Sequence, residues 1–194
     1  MILLVGLGNP GPSHARNRHN AGFRAIEAIA STHGIGPFKK KFQGKFAEGK
    51  IGRVRVFLLK PETYMNLSGA SVREAAAFYK IPLSKVVVFY DEIDLSPGKV
   101  KVRQGGGTAG HNGLESLVAH VGERFRRVRI GIGHPGHKDL VHRHVLSDFT
   151  KDEEAWLAPL LDAIAKNAPW LVKGEDARFV NDLALTLRDA GHGI

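Results

Sequence analysis

Along this chain the apolar positions switch between runs, alternation and helical spacing, and each switch marks an element boundary. Residues 1 to 7 form a continuous apolar run closed by glycine, as for a strand buried on both faces of a sheet. From Asn20 to about His33, Phe23, Ile26 and Ala30 recur at helical spacing with Ala25 and Ile29, until Gly34, Gly36 and Pro37 end the pattern. Phe42 to Glu48 and Lys50 to Leu59 alternate around Gly49 as two neighbouring antiparallel strands, and Pro61 stops the second. Ser68 to Tyr79 is Ala-rich and predicts a helix, whereas Val86 to Asp91 predicts a central strand. Lys99 to Arg103 predicts a short strand leading into Gly105-Gly-Gly. A helix over about Leu114 to Val121 precedes a strand over Phe125 to Ile132, with Arg127 and Arg129 on one face and Val128 and Ile130 on the other. Beyond a His-rich loop, the chain from about Asp152 is amphipathic and helical.

Strands that alternate with helices predict an α/β fold: a single-domain, mixed, mostly parallel twisted sheet with helices on both faces and an antiparallel strand or two. At 194 residues the chain can bury one core and leaves little room for a second, so one domain is expected over 1–194. Open sheets of this kind carry their sites at the carboxyl edge, which directs attention to the strand ends at Gly6, Leu59, Asp91 and Ile132.

Composition narrows the function classes. The chain is 43% hydrophobic and 24% charged, ordinary values for a globular protein. It has no cysteine, which excludes disulfides, thiolate metal sites and a cysteine nucleophile. Met1-Ile-Leu-Leu-Val-Gly6 is too short for a signal core and lacks a basic flank, and no run reaches the roughly 20 apolar residues of a membrane helix. A soluble, cytoplasmic protein without a membrane partner is expected. The net charge of +9 favours a polyanionic partner such as nucleic acid.

Gly6-Leu-Gly8-Asn-Pro-Gly11 satisfies G-x-G-x-x-G after a strand, yet a dinucleotide site needs a helix that opens at the glycines. Here Pro10, Pro12 and Ser13 intervene, helical spacing waits until Asn20, and Glu27 lies within a helix rather than at a second strand end. The glycines are read as a tight turn that lets Asn9 face the sheet edge. Carboxamides recur at element ends, in Gly8-Asn9-Pro10, Arg18-His19-Asn20, Tyr64-Met65-Asn66-Leu67 and Gly110-His111-Asn112-Gly113. Gathered in one cleft they could read a peptide backbone, because a carboxamide both donates and accepts; singly, each could equally cap a turn or helix.

His19 is the candidate general base, and Asp91, at the end of a buried strand, is the candidate that orients it. Their distance in sequence leaves open whether they meet. No G-x-S-x-G is present, and Ser68 is read as a helix N-cap. His134, His137, His142 and His144 lack the context of a metal motif, and no metal is expected. Lys39-Lys40-Lys41 is read as a solvated run.

Six segments, taken in order and spacing, resemble the bacterial-type peptidyl-tRNA hydrolases: Leu4-Val-Gly-Leu-Gly-Asn-Pro-Gly11, Arg18-His-Asn-Ala-Gly-Phe23, Lys60-Pro-Glu-Thr-Tyr-Met-Asn-Leu-Ser-Gly69, Asp91-Glu-Ile-Asp-Leu95, Gly105-Gly-Gly-Thr-Ala-Gly-His-Asn-Gly-Leu114 and Arg127-Val-Arg-Ile-Gly-Ile-Gly-His-Pro-Gly136. The resemblance implies hydrolysis of the ester between a peptide and the 3′ ribose of tRNA, recycling tRNA from aborted translation, with no cofactor and no obligate protein partner, by a monomer. Carried onto this sequence, His19 is the base, Asp91 its partner, and Asn9, Asn66 and Asn112 hold the peptide, Asn9 and Asn112 also serving the water and oxyanion. Met65 lines the cleft, with Tyr64, His111 and His14 beside the substrate. Arg103 and Arg129 fall where the family clamps the tRNA 5′ phosphate, a task suited to a guanidinium fork. The chain departs from the family at His14, often Tyr there, and Thr108 stands at a variable position. A non-catalytic RNA-binding relative of the same fold is the rival expectation, with a nucleotide-dependent oxidoreductase third.

Overall fold

The β-branched and aromatic runs pair at the centre of one sheet. The computed structural model describes residues 1–193. Strands β1 (Ile2–Gly6), β2 (Lys39–Lys41), β3 (Gly44–Ile51), β4 (Val54–Pro61), β5 (Val86–Glu92), β6 (Val100–Gln104) and β7 (Arg126–Gly131) lie in the order β2-β3-β4-β1-β5-β7-β6. β2, β4, β1, β5 and β7 run one way, and β3 and β6 run against them. The mixed, mostly parallel sheet expected from the sequence is therefore present. The helices are α1 (Ala21–His33), α2 (Ser68–Phe78), α3 (Asn112–Val121), α4 (Val141–Val145), α5 (Lys151–Val172) and α6 (Asp176–Asp189).

Strand alternation divides the core between two layers. Ile2, Leu4, Val56, Leu58, Val87, Phe89, Val128 and Ile130 face α1, α5 and α6. Leu3, Val5, Phe57, Leu59, Val86, Val88 and Tyr90 face α2 and α3. Leu3, Leu4, Val87, Val88 and Phe89 are fully enclosed, and each such side chain stabilises the fold by about 1.5–3 kcal/mol. No helix among the described residues is long and apolar enough to cross a membrane.

α1 sits on the sheet at backbone contact. A Cβ on Gly22 would collide with the Phe89 carbonyl oxygen and the Leu7 backbone, and one on Gly6 would strike the Gly22 carbonyl. The amide of Leu7 donates to the Phe89 carbonyl at 3.1 Å, and that of Phe23 donates to the Leu7 carbonyl at 3.2 Å. Gly6 and Gly8 thus serve close packing rather than a tight turn: a Cβ on Gly8 would enter the Phe23 ring, while Gly11 alone of the three has a positive φ, 99°. This seating delivers the 3₁₀ turn Arg18–Asn20 to the sheet's carboxyl edge.

Three further expectations change. The β3–β4 hairpin turns at Gly52-Arg53, where Ile51 pairs with Val54, and not at Gly49. Gly49 lies inside β3 because Ile35 occupies the space of its side chain. Lys39-Lys40-Lys41 is solvated but ordered as the edge strand β2. Ser68 does not cap α2; its buried hydroxyl donates to the Met65 carbonyl at 2.8 Å.

Replacing Gly22 by Ala forces helix and sheet apart. We expect a loss of about 1–3 kcal/mol in chemical denaturation, as overpacking gives; an unchanged midpoint would remove the close-contact account.

Candidate active site

Four chain segments meet at the sheet's carboxyl edge around a cavity of about 590 Å³. Asn9 follows β1, Tyr64, Met65 and Asn66 follow β4, Asp91 and Glu92 end β5, and Thr108 to Asn112 lead into α3. His19 projects in from the turn before α1, and Lys138, Val141, His142, Val145 and Leu146 supply the remaining wall.

At its floor, Nδ1 of His19 lies 2.8 Å from Oδ2 of Asp91, and Nε2 of His111 lies 3.0 Å from Oδ1 of the same carboxylate. His19 is 7% exposed and Asp91 2%. Burial alone would push the His19 imidazole down, but the charge of Asp91 and its hydrogen bond outweigh burial and hold the imidazole above its ordinary value. Burial would likewise favour the neutral acid of Asp91. Attraction to His19 and the hydrogen bonds from both rings win, and the carboxyl stays well below the usual carboxylate range. With Nδ1 committed, Nε2 of His19 is left to accept a proton. His19, Asp91 and His111 bring three ligand-type atoms within 4.8 Å of one another. Both imidazole–carboxylate contacts are at hydrogen-bond length, so the group reads as a hydrogen-bonded chain rather than a cation site.

The carboxamide of Asn9 has a defined orientation. Its Oδ1 accepts from the Met65 amide at 2.7 Å, which leaves its NH₂ to donate into the cavity. The Asn9 backbone is held in turn by Asn20, whose Oδ1 accepts from the Asn9 amide and whose Nδ2 donates to the Asn9 carbonyl, both at 2.9 Å. Tyr64 adopts φ 64° and ψ 157°, a glycine-type conformation that costs a tyrosine about 1–3 kcal/mol and sets the following Met65–Leu67 turn at the rim. Tyr64, Asn66 and Asn112 are exposed there.

The cavity thus gathers His19, Asp91, Asn9, Tyr64, Met65, Asn66, His111 and Asn112. His14 stands outside it, bonded through Nδ1 to Asn17 at 2.8 Å. Arg103 and Arg129 line an adjoining hollow of about 200 Å³ that shares Glu92, Thr108 and Ala109 with the cavity. Arg129 pairs with Glu92 at 3.0 Å, and the exposed Arg103 donates from Nε to the Gly105 carbonyl at 3.1 Å. Between them Arg127 is enclosed, donating to the carbonyls of Gly106, Gly107 and Glu123 and so pinning the glycine-rich segment.

A family model described as peptidyl-tRNA hydrolase matches residues 3–189. The chain belongs to the peptidyl-tRNA hydrolase family. A peptidyl-tRNA hydrolase of Bradyrhizobium diazoefficiens is 57% identical over 191 residues, covering 98% of this chain and 95% of its own length. One from Sphingopyxis alaskensis is 58% identical over 188 residues, covering 97% of this chain and 100% of its own. Among solved structures, the peptidyl-tRNA hydrolase of Acinetobacter baumannii is similar with a TM-score of 0.89 at 41% identity, over 94% of each chain.

In this member of the peptidyl-tRNA hydrolase family, some residues that build the site carry no clear signal of that role in the sequence. Asn20 is visible there only as one more carboxamide. Buried Arg18 binds Glu153 at 2.6 Å and the His144 carbonyl at 3.0 Å, fastening the turn that carries His19 to α5 and to the α4 wall. Thr150-x-x-Glu153 is a capping-box pattern, and both of its reciprocal bonds are present. Together with the acidic first turn Asp152-Glu153-Glu154 it marks that helix start locally.

Asn20→Ala removes two buried hydrogen bonds to the Asn9 backbone. We expect about 1–3 kcal/mol of destabilisation and faster hydrogen exchange at the Met65 amide, whose acceptor loosens; wild-type exchange at Met65 would contradict the Asn20–Asn9–Met65 linkage.

Proposed function

We propose that this chain hydrolyses the ester joining a peptide to the 3′ ribose of tRNA, using a water activated by His19. One observation carries the reading: the 2.8 Å contact between Nδ1 of His19 and buried Asp91, at a cavity edged by carboxamides, in a chain of this family. Nε2 of His19 takes a proton from water as the oxygen attacks the ester carbonyl, and Asp91 stabilises the imidazolium that forms. The oriented NH₂ of Asn9, with Asn112 across the cavity, donates to the developing oxyanion. Collapse returns the proton from Nε2 to the departing ribose oxygen, giving free tRNA and the peptide acid, which releases its remaining proton to solvent. Asn66 and Met65 hold the peptide, Tyr64 forms the rim, and Arg103 and Arg129 bind the tRNA phosphate, Arg129 exchanging Glu92 for it. His14 lies outside the cavity, so its part in this reading is at most contact with the surrounding tRNA. The net charge of +9 supports the tRNA partner. The reading includes one domain, acting as a monomer in the cytoplasm to recycle tRNA.

His19→Ala should purify folded and lose about 10²–10⁴ in turnover on N-acetyl-aminoacyl-tRNA, the usual yield of a general base. The base must be neutral, so wild-type kcat/KM should fall as pH drops through the His19 pKa, with the limb above the ordinary imidazole value; Asp91→Asn, which leaves burial unopposed, should move it lower. Near-normal turnover of His19→Ala defeats the proposal, and tRNA binding without hydrolysis by the wild type would favour a non-catalytic RNA-binding protein.

Arg103→Ala and Arg129→Ala should each weaken tRNA binding and lower the slope of log affinity against log salt by about 0.7–0.9 for each phosphate no longer neutralised. Slopes equal to wild type in both would dismiss the phosphate clamp.

A further inference from the structure

The imidazole of His111 is engaged at both nitrogens. Nδ1 receives the amides of Gly113 at 3.1 Å and Leu114 at 3.3 Å, which makes His111 the N-cap of α3, and Nε2 meets Oδ1 of Asp91 at 3.0 Å. An amide N–H only donates, so Nδ1 must present its lone pair. A neutral imidazole has one N–H, which therefore sits on Nε2 and points at the carboxylate. Protonating Nδ1 would expel both amides and set a cation against the positive end of the helix.

We propose that His111 is a positioning residue acting on Asp91 rather than on substrate: α3 locks it as the neutral Nε2–H tautomer, and its single proton aims the carboxylate at His19. This rests on the reading of His19 as the base. The two oxygens of Asp91 are shared between two rings whose centroids are 4.9 Å apart, and the carboxylate plane is set by both donors. Without His111, Oδ1 would be a buried anionic oxygen lacking its partner, since Asp91 is 2% exposed. The carboxylate could then turn, and its charge would fall more fully on His19. A hydrogen bond from a neutral His111 still favours ionised Asp91, while drawing part of that charge away from the base. The other titratable groups facing these residues are Tyr64, Glu92, Lys138 and His142 around the cavity, and Tyr90, whose ring meets His111 edge-on at 5.2 Å; Glu92 is itself paired with Arg129.

His111→Asn separates the two contacts, because asparagine is a good N-cap but too short to reach Asp91. On N-acetyl-aminoacyl-tRNA we expect an unfolding midpoint and KM close to wild type, kcat lowered about tenfold or more, and the acid limb of the kcat profile moved up by about one pH unit or less. A raised KM with the limb unmoved would make His111 a substrate-holding residue and overturn the proposal. Independently of activity, ¹⁵N NMR of the wild-type imidazoles at about pH 8 should show neutral His111 with its proton on Nε2 and none on Nδ1. A His111 carrying its proton on Nδ1 would also overturn it. If the wild type failed to hydrolyse the substrate, the functional reading would fall, and the NMR result would still decide the tautomer.

Discussion

A carboxylate buried at the end of an apolar strand cannot stand alone. Desolvating an unpaired charge is strongly unfavourable, so ionised Asp91 requires donors on both oxygens, and the fold around it is arranged to bring them. β5 carries the carboxylate to the edge of the sheet. α1 and α3 approach from opposite layers, one led in by the turn that bears His19 and the other capped by His111. The chemistry proposed for His19 therefore depends on an electrostatic demand created by Asp91, and both imidazoles answer it.

Precision at that point comes from backbone-level contacts elsewhere. Gly6 and Gly22 let α1 touch the sheet without intervening side chains, fixing the depth of His19. Asn20, next to the base, holds the Asn9 backbone, and Asn9 holds the Met65 amide. Three segments far apart in sequence are thus placed by one chain of carboxamide bonds. A loop-built site gains from this the rigidity of the sheet it stands on.

Much of this is legible in the sequence because burial on both faces and helical spacing are local signals: β1, β5, α1 and the direction of Arg127 and Arg129 follow from them. The candidate site residues His19, Asp91, Asn9, Asn66 and Asn112 stand at strand ends or beside turn formers, where chemistry concentrates in open sheets. What the sequence hides is non-local. Gly49 imitates a turn residue, but its lack of a side chain answers Ile35, which no nearby pattern announces. Ser68 looks like a cap, yet its hydroxyl serves a preceding 3₁₀ turn, whose start depends on the unusual backbone of Tyr64. His14 lies between two segments that line the cavity, but its ring is taken by Asn17. The second bond of Asp91, to His111, has no signature of its own, because helix capping by a histidine leaves no distinctive spacing.

The guanidinium of Arg18 carries the widest implication. It precedes His19 directly, and its carboxylate partner, Glu153, also closes the first turn of α5. The C-terminal helices, poorest in diagnostic motifs, are therefore a mechanical buttress for the reactive end. During synthesis the segment around His19 waits for a residue 135 positions after Arg18 before its last anchor exists. Sequence drift in those helices is tolerable only so long as that one late-arriving acid still lands where the early arginine needs it.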